Sequence, residues 1–159
     1  MSTHIAERQR HVRLLNRIVA VARDDHALLH AHAVARLQGS DAALCAVMMH
    51  MAGSSAAIIA TLGRRVRQAG GRPARHGTPL GGVRAGFGWW GTVLGDAGIQ
   101  YASQGQACRG RLIRALQAAL NEATLPEDVR PMLDEMMHYA QHDWQHLHGR
   151  LDGLRAREV

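Results

Sequence analysis

The chain has 159 residues and a formal net charge of +6, and all 19 of its basic residues are arginine. That length is the size of one domain and can bury a core without staples, while two distant cysteines, Cys45 and Cys108, exclude a disulfide framework or a CxxC site. The N-terminus, MSTHIAERQRHVR, lacks an apolar signal core, and no apolar run reaches the ~18 residues of a membrane helix, so a soluble, cytoplasmic protein without a membrane partner is expected.

Residues 1–7 read as an N-terminal tail and 8–157 as a single helical domain. The first helix spans about 8–37, with Leu15, Ile18, Val19, Ala22, Leu29, Ala33 and Leu37 on one face, and Gly39 stops it. Ser40 is a suitable N-cap for a second helix over about 41–68, striped by Leu44, Val47, Met48, Met51, Ser55, Ile58, Leu62 and Val66 and ended by Gly70 and Gly71. A crossover over about 70–95 follows, rich in glycine. Without a Gly-Lys-Ser/Thr element or a preceding strand its glycines do not make a phosphate loop. It reads as a long connection carrying a short extra helix, with Leu80, Phe87, Trp89, Trp90 and Val93 covering one end of the bundle; left exposed, Trp89 and Trp90 would favour a homodimer.

The third helix spans about 96–122, with Ala102, Leu112, Ile113, Leu116 and Leu120 inward. Thr124, Pro126 and Glu127 form a capping-box-like start for a fourth over about 125–155, striped by Val129, Met132, Leu133, Met136, Met137, Ala140, Trp144, Leu147, Leu151 and Leu154. The expected fold is an all-α, up-down four-helix bundle with a long helix 2–3 crossover.

Four short stretches carry a resemblance: Arg-Asp-Asp-His at 23–26, Gly-Thr-Pro-Leu-Gly at 77–81 followed by tryptophan, Leu-Pro-Glu-Asp-Val-Arg at 125–130, and His-Asp at 142–143. Over about residues 10–155 the layout resembles an uncharacterised bacterial family of ferritin-like bundles, a domain of unknown function sometimes linked to stress. The resemblance implies a ferritin-like fold and a two-metal carboxylate site without an established activity. The family's Cys-Glu-Arg-Gly-Glu-like stretch in the third helix is replaced by Gln-Gly-Gln-Ala-Cys-Arg-Gly.

A ferritin-type site needs inward carboxylates from two helices and a Glu-x-x-His pair from each of the other two. Here no Asp or Glu occurs from Ala42 to Gly95, and the centre of helix three offers Gly105 and Arg109. Di-iron oxidase chemistry is therefore disfavoured, and no nucleophile with an adjacent base suggests another enzyme. Glu135 and His138 do form Glu-x-x-His, but with His142 and His146 they project about 140° to 220° from the apolar stripe. Such a ladder is either a solvated polar face, a surface site for Zn, Ni, Cu or Fe, or a pH-dependent contact. His26, within the apolar stripe of helix one with Asp25 at its edge, is a further candidate ligand.

Asp25, His26, Arg109 and Asp143 instead converge on the core, as a paired ionic network or a small polar cavity. Met-Met-His-Met at 48–51 and Met-Met-His at 136–138 have the thioether and imidazole ligands that suit Cu(I), but Met48, Met51, Met136 and Met137 fall at core positions and read as packing. Arg64, Arg65, Arg67, Arg72, Arg75 and Arg84 cluster around the C-terminal end of helix two. Some complement the helix dipole, and together they suit an anion, nucleic acid or an acidic protein. Two roles stay open: a non-catalytic bundle binding metal through histidines in a stress context, or an interaction module using these arginines.

Overall fold

The computed structural model describes residues 2–37, 41–79, 81 and 97–157, with side chains described from His4 to Val34 in the first segment. Four long helices appear there, and no strand occurs among the described residues: α1 Ser2–Leu37, α2 Ala42–Gln68, α3 Ala97–Leu120 and α4 Arg130–Arg155. Gly39, Ser40, Leu80, Arg84, Phe87, Trp89, Trp90, Val93 and the expected extra helix lie outside the described residues.

The segment expected to be a tail is helical from Ser2 onward. Ala6 and Glu7, followed by Arg8, Gln9 and Arg10, are strong helix formers that extend α1 back from its packed part, and residues 4–10 are exposed. Helix α2 is capped by Asp41, whose Oδ1 accepts from the Leu44 N–H at 2.9 Å and also from Arg150 Nη2 at 3.0 Å. At its other end Gly70 takes φ +75°. The Gly71 N–H then reaches the Val66 carbonyl and the Gly70 N–H that of Arg67, closing the helix in a Schellman turn.

Helix α4 begins at Arg130 rather than near Leu125. Residues 122–129 instead form successive turns in which the Leu125 N–H donates to the Glu122 carbonyl and the Val129 N–H to that of Pro126. The expected capping box does not cap the helix. Pro131, at the first turn, costs no hydrogen bond there and fixes the helical φ. Arg130 Nη1 donates to the Leu120 carbonyl at 2.7 Å, satisfying an orphan acceptor at the end of α3.

Cross-helix bonds settle the directions. Asp25 meets Ser55, and Cys45 meets the Ala33 carbonyl, so α1 and α2 are antiparallel. His32 bonds Gln104 while Asp25 meets Arg109, so α1 and α3 are antiparallel too. Arg65 pairs with Asp128 and Arg150 with Asp41, so α2 and α4 are antiparallel. The order is therefore up, down, down, up, not the simple alternation expected from sequence. A parallel α2 and α3 require the intervening chain to return along the bundle, and its first part does so on α1. Asn16 Oδ1 accepts from the Ala74 N–H at 2.8 Å and its Nδ2 donates to the Arg72 carbonyl at 2.9 Å. Arg23 Nε donates to the Ala74 carbonyl at 2.8 Å. Further along, Asp24 accepts from the Thr78 N–H and hydroxyl. A Cβ at Gly77 or Gly81 would collide with the Asp24 carboxylate, so both positions need glycine for this approach.

Helix α2 is long and apolar enough to cross a membrane by length and composition. In the bundle its stripe from Leu44 to Val66 is buried. The core falls into two apolar clusters, one around Leu15, Ile18, Leu62, Leu112, Leu116 and Leu133, the other around Leu29, Leu44, Met48, Ala102, Leu147 and Leu151. Gly105 lets the second close tightly, because a Cβ there would approach Leu29 and Leu147 methyls at 3.1 and 3.2 Å. A polar layer separates the two clusters.

Candidate functional site

Helix α3 places Arg109 at the bundle's centre, with 0% of its surface exposed. Its Nη2 lies 3.1 Å from Asp25 Oδ2 and donates to the Met51 carbonyl at 2.7 Å, and its Nη1 is 3.8 Å from Asp143 Oδ2. Asp25 is likewise 0% exposed and Asp143 5%. Ser55 donates its hydroxyl to Asp25 Oδ2 at 2.5 Å. All four helices thus contribute to one layer, and the parallel α1 and α4 bring Asp25 and Asp143 to the same guanidinium.

Desolvation dominates the chemistry of this layer. Burial pushes the Asp25 carboxyl above the ordinary carboxylate range, while the Arg109 charge and the Ser55 hydroxyl pull it back. Burial, reinforced by the Asp25 carboxylate, pushes the Cys108 thiol up to about 12, so it stays protonated and unreactive. Among the described residues one guanidinium lies against both carboxylates, and from the surface the His50 side chain, 73% exposed, brings Nε2 to 3.4 Å from Asp143 Oδ1. Hydrogen bonding is incomplete, because Asp25 Oδ1, Asp143 Oδ2 and Arg109 Nε and Nη1 are buried without a hydrogen-bond partner.

His26, expected in this cluster, stands apart from it. It is only half-buried, and its Nδ1–H donates to the Ala52 carbonyl at 2.9 Å, pinning α1 to the α2 backbone. The 23–26 stretch thereby divides its labour: Arg23 and Asp24 hold the crossover, Asp25 pairs with Arg109, and His26 bonds α2. Asp24 was not singled out from sequence. The signal was available in its adjacency to Asp25 and in Gly77 and Gly81, whose close spacing marks a tight backbone approach.

Glu135, His138, His142 and His146 are all exposed on the outer face of α4. The His142 and His146 rings have centroids 6.4 Å apart, one turn along the helix, whereas His138 contacts Tyr139. Among the described residues no three His, Cys, Asp or Glu side chains come together as a metal site. The core carboxylates do not fit a metal pair either, since the cationic Arg109 lies between them.

The remaining candidates gather at the end of the bundle where α1 begins and α2 stops. Arg64, Arg67, Arg72 and Arg75 are exposed there, and Arg65 is partly exposed and paired with Asp128 at 3.1 Å. The adjoining turns of α1 add exposed Arg8, Arg10, Arg13 and Arg17, with Arg8 against Gly70. Among the described residues none of these arginines except Arg65 has a carboxylate within ion-pair distance. His11, on the same turns, has its pKa lowered by burial, with Asp128 opposing and Arg65 assisting.

The architecture and site together define an all-α four-helix bundle with a buried ionic layer and a cationic end. No known family model matches the chain, and no curated protein matches it in sequence.

Proposed function

We propose that this chain is a non-catalytic, ferritin-like bundle whose role is to bind nucleic acid through its cationic end. The observation that carries the reading is a gathering of open cations: Arg23, Arg109, Arg130 and Arg150 are occupied by carboxylates or backbone carbonyls, while Arg64, Arg67, Arg72 and Arg75, exposed together at one end, have no carboxylate partner among the described residues. Unpaired guanidiniums match phosphate geometry through two parallel N–H donors, and several together release counterions from a phosphate backbone. No aromatic side chain is described among them, which favours backbone contacts over base reading. The ferritin-like assignment is supported by the up-down-down-up order with one long crossover, and the absence of enzymatic metal chemistry by the cation held between the core carboxylates.

The test is retention of the purified chain on single- and double-stranded DNA at physiological salt, compared with a variant carrying Arg64→Gln, Arg67→Gln and Arg72→Gln. Binding that the triple variant loses supports the reading. Binding of an acidic protein but not DNA would replace nucleic acid with that partner class, and indifference to the three substitutions would end the proposal.

A second reading rests on the exposed His142 and His146 one turn apart. Neutral imidazoles at i and i+4 can chelate Zn, Ni or Cu with open coordination positions. Elemental analysis of untagged protein, repeated on His142→Ala, tests it: at least one metal equivalent that the variant loses supports the reading, and metal-free protein contradicts it.

A further inference from the structure

A cleft of about 200 Å³ opens between the first third of α1 and the turn joining α3 to α4, lined by Arg10, His11, Arg13, Leu14, Arg17, Glu122 and Thr124. Its wall follows from helical spacing. Arg10, Arg13 and Arg17 stand at i, i+3 and i+7 on one face, with Leu14 between them as the apolar floor. The opposite wall exists because residues 122–129 turn instead of continuing into helix, which brings Glu122 and Thr124 beside α1.

We propose that this cleft is a binding site for a single phosphate group. Three guanidiniums face one carboxylate, so the wall is net cationic, and among the described residues Arg10, Arg13 and Arg17 have neither an ion-pair nor a hydrogen-bond partner. The orphan Nδ1 of His11 is buried on the same wall, a polar atom that the fold leaves unsatisfied. Thr124 adds an exposed hydroxyl. Arginine forks and a hydroxyl are the donor set that phosphate oxygens take up, and the charge-assisted bonds they make are stronger than neutral ones. Size narrows the ligand further: the cleft falls below the roughly 300–1,000 Å³ of pockets that enclose whole drug-sized molecules. It therefore takes the phosphate and leaves whatever carries it outside. That carrier is either a small phosphate monoester or the sugar chain of a nucleic acid.

The cleft lies within the same cationic end but is built from Arg10, Arg13 and Arg17 rather than the arginines at the end of α2, so substitutions in the two groups tell its failure from that of the nucleic-acid reading. Titration of the full chain with inorganic phosphate, at constant ionic strength against chloride, should give saturable calorimetric binding and a raised melting temperature. An Arg13→Gln, Arg17→Gln variant that keeps its helical circular dichroism should bind phosphate about tenfold or more weakly, as expected for losing charge-assisted hydrogen bonds. Arg64→Gln, Arg67→Gln should leave phosphate binding unchanged. Glycerol phosphate and a short oligonucleotide then distinguish the carriers: competition by either, lost in the Arg13/Arg17 variant, supports the site and identifies its source. No saturable phosphate binding overturns the proposal. So does an equal loss in the Arg64/Arg67 variant, which would mean only diffuse attraction to total charge.

Discussion

Arg109 and the arginines at the end of α2 are the same side chain in opposite circumstances. Arg109 has no exposed surface and is held by Asp25, Asp143 and the Met51 carbonyl; Arg64, Arg67, Arg72 and Arg75 are exposed and unpaired among the described residues. A buried guanidinium must be matched inside the protein, because its desolvation is uncompensated otherwise. An exposed one is matched by water and stays available to an outside anion. The first fixes how the four helices meet, and the second leaves a surface for function.

The largest expected effect comes from breaking the buried side of this contrast. Arg109→Leu leaves Asp25 and Asp143 buried without a cation and should destabilise the fold by about 3–5 kcal/mol in urea unfolding. Replacing Asp25, Arg109 and Asp143 together by apolar residues of similar volume should recover most of that loss. A triple variant as unstable as Arg109→Leu would show that the layer is held by something besides its charges.

The crossover clamp should matter less. Asp24→Ala leaves the Thr78 N–H without its acceptor and should cost about 1–3 kcal/mol, read as a lower melting temperature. Gly77→Ala, which drives a Cβ into the same carboxylate, should destabilise in the same direction.

Acidity probes the half-buried histidines. Burial lowers the His32 pKa below its ordinary 6.5, with the Gln104 hydrogen bond opposing. The unfolded chain therefore binds that proton more readily, so stability present above about pH 6.5 is lost as pH falls through the lower folded value. The His32 contribution is bounded at about 1.4 kcal/mol per pH unit. His11 acts in the same sense but more weakly because it is better solvated. Asp25 acts oppositely, stabilising the fold below its ordinary 3.8 and losing that contribution as pH rises through its elevated folded value. Chemical unfolding between pH 7 and pH 5 should show declining stability, and His32→Gln should flatten the decline. An unchanged slope in that variant would contradict the assignment.

What the sequence made legible was whatever depended on helical period. Positions on the apolar stripes place Asp25, Arg109 and Asp143 inward, and the same period places His138, His142 and His146 outward, where the helices present them. Direction was not legible, because a stripe has the same period whichever way its helix runs; the parallel α2 and α3 follow only from cross-helix bonds. His26 shows a second limit. The period puts it within the stripe and Asp25 at the edge, yet Asp25 is the fully buried one and the half-buried His26 ring turns to the Ala52 carbonyl, since a backbone acceptor on a neighbouring helix leaves no trace in a sequence. The start of α4 shows a third: Thr124 and Glu127 have capping chemistry, but turns through Pro126 and the proline at 131 shift the helix start to Arg130. The cleft beside α1 arises from that shift and was correspondingly invisible.

The smallest structural effect should accompany the clearest functional one. Arg64→Gln, Arg67→Gln and Arg72→Gln break no ion pair among the described residues and should each change stability by no more than about 0.5 kcal/mol. The decisive measurement is the salt dependence of DNA affinity for the unaltered chain beside that triple variant. Log affinity of the unaltered chain should fall linearly with log salt, and the variant's slope should be shallower by about 0.9 for each duplex phosphate contact removed. Equal slopes, or no DNA binding at physiological salt, would contradict a cationic end that is left open for phosphate.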